Sequence, residues 1–251
     1  MTARYDVLIV GHRGARFEAP ENTIPGFRYA IGLGLQSIEF DVQMTADGHL
    51  VIIHDHTVDR TTNGTGEVKD LTLAEIQALD ARSIFPDWEE RCYVPTLDET
   101  LETLRDVPHL ICEIKNDTDE RLDRIVPMTL DAIHKAGIDD HATVTSFNPY
   151  VVALVQKLAP GMKRGYIGNW DEPFFLEKSI EMGCTQADVH HPTADPELVR
   201  QAKAHGMRVI CWPTNSQEAL DHALTFEPDL FCTDNPSVLG PMYEDTVAQE
   251  A

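Results

Sequence analysis

Eight short runs rich in β-branched and aromatic residues, separated mostly by amphipathic helical stretches, limit the fold more than any other feature. The runs are Asp6–Val10, Ser37–Gln43, Leu110–Lys115, Thr143–Phe147, Lys163–Ile167, Gln186–Val189, Arg208–Trp212 and Leu230–Thr233. Between them, helical periodicity predicts helices over Thr23–Leu33, Leu97–Leu104, Leu122–Ala136, Tyr150–Leu158, Phe174–Met182, Pro196–His205 and Ser216–Phe226. Gly34, Gly137, Gly183 and Gly206 fall where these helices should stop. Eight such strands in 251 residues predict an α/β fold, a (β/α)8 TIM barrel. A doubly wound open sheet would want a Gly-rich phosphate loop after its first strand, and the chain has neither GxGxxG nor a P-loop.

One stretch breaks the rhythm. Thr45-Ala46-Asp47-Gly48 is a hairpin turn signal between Glu39–Met44 and Leu50–His54. The chain then runs through residues 55–94, rich in Thr, Asn, Gly and Asp, with a short helical pattern at Leu73–Leu79. This reads as a small insertion after the second strand, too small for an independent core. Residues 1–251 therefore read as a single domain. The acidic tail after Met242 reads as loosely held.

The formal net charge of −22 comes from 42 Asp and Glu against 20 Lys and Arg, with no basic run. That argues against nucleic acid and anionic membrane surfaces as partners, since both need a positive footprint. It also means that an anionic substrate needs a local cationic device. The five cysteines, Cys92, Cys112, Cys184, Cys211 and Cys232, form no CxxC pair and read as buried free thiols of a reducing compartment. Asp6 interrupts any signal pattern in Met1–Val10, and no apolar stretch reaches the ~20 residues that span a bilayer. The expectation is a cytoplasmic protein without stable membrane insertion, and a homo-oligomer is left open.

Glu39 and Asp41 alternate with Ile38, Phe40 and Val42, so both carboxylates share one face of a strand. Two like charges packed side by side are costly unless a hard divalent cation with oxygen ligands joins them. His54 follows Asp41 by thirteen residues. Barrel enzymes gather their chemistry at the C-terminal ends of strands, and more such residues map there. His12-Arg13-Gly14 follows the first strand, and Glu113 and Lys115 end the third on one face. Trp212 ends the seventh and Asp234 the eighth.

The ordered set His12-Arg13-Gly14, Pro20-Glu21-Asn22-Thr23, Glu39-Phe40-Asp41 and His54-Asp55 resembles the glycerophosphodiester phosphodiesterase family. Asp59-Arg60-Thr61-Thr62-Asn63-Gly64-Thr65-Gly66 looks like that family's insertion. Glu113-Ile114-Lys115 and Thr233-Asp234-Asn235-Pro236 look like its third-strand and closing motifs. The resemblance runs from about residue 8 to residue 237. It implies a TIM barrel that hydrolyses small glycerophosphodiesters to glycerol 3-phosphate and an alcohol, in lipid and glycerol metabolism. It also implies one divalent cation, Mg²⁺ or Ca²⁺ with Mn²⁺ as a further candidate, on Glu39, Asp41 and Glu113. His12 and His54 would be general acid and base, and Arg13 and Lys115 would contact the phosphate.

The chemistry of a phosphodiester agrees with those roles. Charge grows on its oxygens during attack, and a cation, an arginine fork and a lysine can meet it. The nucleophile must lose a proton and the leaving alkoxide must gain one, which suits two histidines. We assign His12 provisionally as base and His54 as acid, with His56 as the competitor for the second role. Water and the glycerol 2-hydroxyl both qualify as nucleophile. Trp212 reads as a wall against the glycerol or the head group, or as a core aromatic. Asn22 reads as a helix N-cap, Glu21 as a support to the site, and Cys112 as packing. His190-His191 reads as a loop pair without metal. Two rivals are a zinc amidohydrolase barrel, suggested by His54-Asp55-His56 with Asp234, and a non-catalytic glycerophosphodiester-binding barrel.

Overall fold

The computed structural model describes residues 9–250, with side chains to residue 243. Nine strands form one sheet: β1 (Ile9–Gly11), β2 (Ser37–Met44), β3 (Leu50–Ile52), β4 (His109–Ile114), β5 (Ala142–Ser146), β6 (Lys163–Gly168), β7 (Gln186–His190), β8 (Arg208–Trp212) and β9 (Leu230–Thr233). All pairings are parallel except β2 with β3, and β1 closes the circle by pairing with both β9 and β2. Eight parallel strands with helices between them make the expected TIM barrel, and β3 is an antiparallel appendage to the second barrel strand. Each barrel strand after the first centres within about one residue of where its apolar run predicts. Of the first run, Asp6, Val7 and Leu8 lie outside the described residues, as does most of the Met1–Val10 stretch.

Alternation along the strands separates two cores. Ile38, Phe40 and Val42 of β2, with Leu110, Cys112 and Ile114 of β4, face outward into the large layer shared with the helices. Phe27 of the first helix meets Phe40 edge-on at 6.3 Å. Inside the barrel, Val10, Ile111, Ile210, Leu230 and Cys232 form a smaller plug beneath Trp212. The same alternation turns Glu39, Asp41 and Glu113 to the barrel interior near its C-terminal end. All five cysteines are buried free thiols.

Local signals set the boundaries. Gly137 takes φ 70° after the helix Asp119–Ala136, and that left-handed turn stops it. This helix starts earlier than Leu122, because Asp119 and Glu120 suit the positive N-terminal end of its dipole. Thr23, not Asn22, caps the helix Ile24–Gly32 by accepting from the Gly26 amide. Pro25 in its first turn is compatible with that start. The acidic tail continues the last helix, Pro236–Glu250, rather than hanging loose.

Residues 55–94 follow β3 and carry a 3-10 turn at Val68–Asp70 and a helix at Leu73–Ala78. Thr72 and Glu75 close a capping box on that helix. Val58, Val68, Ile76, Ala81, Cys92 and Val94 pack with Val51 and Ile53 into a small apolar cluster. Two of its members, Val51 and Ile53, come from β3 and its end, so the insertion is seated on the strand that pairs with the one bearing Glu39 and Asp41. Among the described residues no helix is long and apolar enough to cross a membrane.

Candidate active site

A sharp turn brings His12 and Arg13 to the mouth of the barrel. Arg13 at φ 52° and Gly14 at φ 86° are both left-handed. For arginine that conformation is uncommon and is maintained by its neighbours. The Arg13 amide donates to Glu39 Oε2 at 2.9 Å, and its carbonyl accepts from the Asn22 amide at 3.1 Å. Asn22 is left-handed too, at φ 54°. Its side-chain amide donates to Asp41 Oδ2 at 2.7 Å, so it orients an acid instead of capping a helix.

Glu39, Asp41 and Glu113 are buried, and one oxygen of each lies within 4.8 Å of the others. Glu39 Oε1 and Asp41 Oδ1 are buried with no hydrogen-bond partner among the described residues. Lys115 Nζ reaches Glu113 Oε1 at 2.6 Å and Asp41 Oδ1 at 3.5 Å. Burial, then Asp41 and Glu113, hold the Glu39 carboxyl well above the usual range. Burial pushes Glu113 up to about 7 against the pull of Lys115. Burial also acts on Asp41, but Lys115, Arg13 and His54 outweigh it and keep its carboxyl well below the usual range. The cluster therefore resists full ionisation by itself. An all-oxygen donor set in which two buried acceptors lack a hydrogen bond, Asp41 Oδ1 having only the longer ion pair with Lys115, fits a hard cation such as Mg²⁺ or Ca²⁺.

The two histidines are held alike. His12 Nδ1 lies 2.5 Å from Asp234 Oδ1, and Asn215 donates to the other Asp234 oxygen at 2.8 Å. His12 Nε2 lies 3.9 Å from Glu39 Oε2. His54 Nδ1 lies 2.7 Å from Asp55 Oδ1. Burial lowers both imidazoles, although Asp234 and Asp41 respectively oppose it. Asp55 is pulled down to about 2, with Arg60 and then His54 outweighing burial. Each carboxylate thus accepts from an Nδ1–H, which leaves Nε2 as the nitrogen able to take or give a proton. Gln43 steadies the His54 loop by donating to the carbonyls of Ile53, His54 and Asp55 at 2.9, 3.1 and 2.6 Å.

A relay of charges ties the histidine sites together. Arg60 binds Asp55 through Nε at 2.6 Å and Glu21 through Nη1 and Nη2 at 2.6 and 2.8 Å. Glu21 in turn accepts from Arg13 Nη1 at 2.9 Å. Arg13 Nε sits 3.4 Å from Asp41 Oδ2. Glu21 supports the site as expected, but part of the Arg13 fork is engaged by protein carboxylates. Arg60→Ala should keep the fold and lower kcat about tenfold by freeing Asp55 and Glu21. Steady-state kinetics and a melting curve would check this, and an unchanged kcat would show the relay to be ornamental.

One pocket is lined by His12, Arg13, Glu39, His54, Glu113 and Trp212. Lys115 bonds to its acids from the side. Trp212 meets Phe147 edge-on at 5.9 Å and His190 in a tilted stack at 4.8 Å. The expected site residues therefore converge on one end of the barrel. His56 is exposed and Asp234 is bound to His12. Among the described residues no group of three possible metal ligands other than Glu39, Asp41 and Glu113 is found, and the HxH motif gathers no such group. His191 meets His222 at the surface, Nδ1 to Nδ1 3.4 Å. Sequence reasoning gave Asp55 and Arg60 no role of their own and read Asp234 only as a strand-end residue, part of the closing motif and a feature of the rival zinc barrel. A carboxylate adjacent to His54 was the available signal for Asp55, whereas Arg60 reaches Glu21 across 39 positions.

Comparison with known proteins agrees with this geometry. Residues 12–238 match the model of the glycerophosphoryl diester phosphodiesterase family. The chain is 37% identical over 235 residues to a glycerophosphodiester phosphodiesterase of Caldanaerobacter subterraneus subsp. tengcongensis, covering 92% of this chain and 96% of that one. It is 39% identical over 248 residues to glycerophosphodiester phosphodiesterase 1 of Mus musculus, covering 84% and 72%. The crystal structure of a glycerophosphodiester phosphodiesterase from Agrobacterium tumefaciens superposes with a TM-score of 0.79 at 27% identity, covering 94% and 99%. With a family match over nearly its whole length, this chain belongs to the glycerophosphoryl diester phosphodiesterase family.

Proposed function

We propose that this chain hydrolyses glycerophosphodiesters to glycerol 3-phosphate and an alcohol by paired histidine catalysis beside a divalent cation. The observation that carries the reading is the pairing of two carboxylate-held histidines with a buried acidic triad in one pocket. Held by Glu39, Asp41 and Glu113, a divalent cation would supply positive charge to the phosphoryl oxygens. Lys115 and the remaining donors of Arg13 add to it in a protein of net charge −22.

His12 is the more enclosed imidazole, and its lowered pKa keeps it neutral near pH 7, as a base requires. Its Nε2 takes the proton of the nucleophile, whether water or the glycerol 2-hydroxyl, while Asp234 stabilises the imidazolium that forms. Burial lowers His54 as well, so the two differ in exposure rather than in direction of shift: His54 is more open, with a side chain 31% exposed against 20% for His12, and can draw a proton from solvent and pass it to the leaving alkoxide. Five free thiols suit a reducing, cytoplasmic setting, and the substrate class suits lipid and glycerol metabolism.

The test is a coupled assay for glycerol 3-phosphate, with choline, ethanolamine and glycerol diesters and Mg²⁺, Ca²⁺ or Mn²⁺. Cation-dependent release from at least one diester is the expected result. No release from any combination would overturn the reading.

A further inference from the structure

β2 and β7 are the second and sixth of the eight barrel strands, so they face each other across the barrel. β7 packs Ala187 and Val189 outward and turns Gln186 and Asp188 inward. Asp188 is 5% exposed, yet it lines the same pocket as His12, Glu39 and Glu113. Gln186 Nε2 donates to its Oδ1 at 2.9 Å. No cationic side chain pairs with this carboxyl among the described residues. Two more polar atoms of the pocket, Thr145 Oγ1 and Trp212 Nε1, are buried without a hydrogen-bond partner among the described residues. The wall around them is apolar, from Ile111, Ile167 and Ile210.

A buried polar atom left unpaired costs about 1–3 kcal/mol, so isolated cases are rare. Here such atoms share a pocket with the groups placed to hold a phosphate. We propose that Asp188, Thr145 and Trp212 form a polyol subsite that binds the hydroxyls of the glycerol arm and selects glycerol over plain alkyl diesters. The inference rests on the proposed hydrolysis of glycerophosphodiesters at this site.

The donor pattern matches a diol. Trp212 Nε1 only donates, and the Thr145 hydroxyl donates and accepts. Burial pushes the Asp188 carboxyl up to about 8, so near neutral pH it mostly keeps its proton and can both donate and accept. Vicinal hydroxyls, which donate and accept in turn, complement that set. An ammonium head group would need an ionised carboxylate and could not use the indole N–H. His190 already stacks on the Trp212 ring.

The test compares glycerophosphoethanolamine with propyl phosphoethanolamine, the same diester without the two hydroxyls. Asp188→Ala should lower kcat/KM about tenfold to a hundredfold more on the glycerol diester than on the propyl diester. Asp188→Asn keeps a donor and an acceptor and should restore most of the preference. If Asp188→Ala does not fold, Thr145→Val should show the same selective loss. Equal losses on both diesters would overturn the subsite and leave Asp188 a packing residue. So would a loss in Asp188→Asn that follows the charge of the head group rather than the glycerol hydroxyls. If the wild type cleaves no glycerophosphodiester, the parent reading falls. Calorimetry with glycerol 3-phosphate against propyl phosphate decides the subsite in that case, and also if the wild type cleaves the glycerol diester but not the propyl one, as a glycerol 2-hydroxyl nucleophile requires; equal affinities would overturn it.

Discussion

Replacing His12 with alanine should lower kcat about 10²–10⁴-fold while KM changes little, because the imidazole moves a proton rather than gripping substrate. The fold should survive, since Asp234 keeps Asn215 at 2.8 Å and Arg16 at 3.0 Å. Asp234→Asn gives a sharper version of the same test. A carboxamide can donate to His12 Nδ1, which puts the imidazole proton on Nε2 and removes the base; a fall of ~10²–10⁴-fold is again expected. Steady-state release of glycerol 3-phosphate measures both. A His12→Ala enzyme with wild-type kcat would remove His12 from the mechanism.

Chelation should be as severe. With EDTA, turnover should fall about 10³-fold, matching the several kcal/mol that a cation contributes against phosphoryl charge, and excess Mg²⁺ or Ca²⁺ should restore it. The cation-free protein should also carry a pH signature. Its Glu39 and Glu113 hold protons that the unfolded chain gives up near pH 4, and so does Asp188, each chiefly through burial. Folded-state values above unfolded ones mean stability that is complete at low pH and lost as pH rises through the folded values. His12 and His54 are shifted down and act in the opposite sense, but that contribution is nearly complete above their unfolded value of about 6.5. Between pH 7 and 8 the carboxyls near 7 and 8 therefore govern the slope. The melting temperature in EDTA should fall across that window, at up to ~1.4 kcal/mol per pH unit for each proton released. Saturating Mg²⁺ or the variant Glu113→Gln should make the slope shallower by the share of Glu113, and Asp188→Asn should remove most of what is left. A flat profile in EDTA would argue against a strained carboxylate cluster.

Much of this site was legible because strand alternation is a local property. Glu39 and Asp41 had to share a face, and so did Glu113 and Lys115, once their runs were read as strands. Asn22 shows where local reading fails. An asparagine just before a helix reads as a cap, but Thr23 takes that place. The left-handed turn at Asn22 frees its amide for Asp41, 19 residues away. Arg60 and Asp188 were missed for the same kind of reason. One stands in a polar insertion, the other in an apolar strand, and their meaning lies in partners that sequence spacing does not reveal.

By itself, then, the sequence determined the barrel, the face each strand turns inward, and which acids, histidines and cations gather at its C-terminal end. These follow from periodicity, from capping and from motifs whose parts act over a few positions. Tertiary structure alone decided that His12 leans on Asp234, 222 positions away, and that Arg60 joins Asp55 to Glu21. It also decided that Asp188 faces the acids from the opposite wall. Closure of the sheet sets those distances, and a pKa follows distance and burial rather than order along the chain.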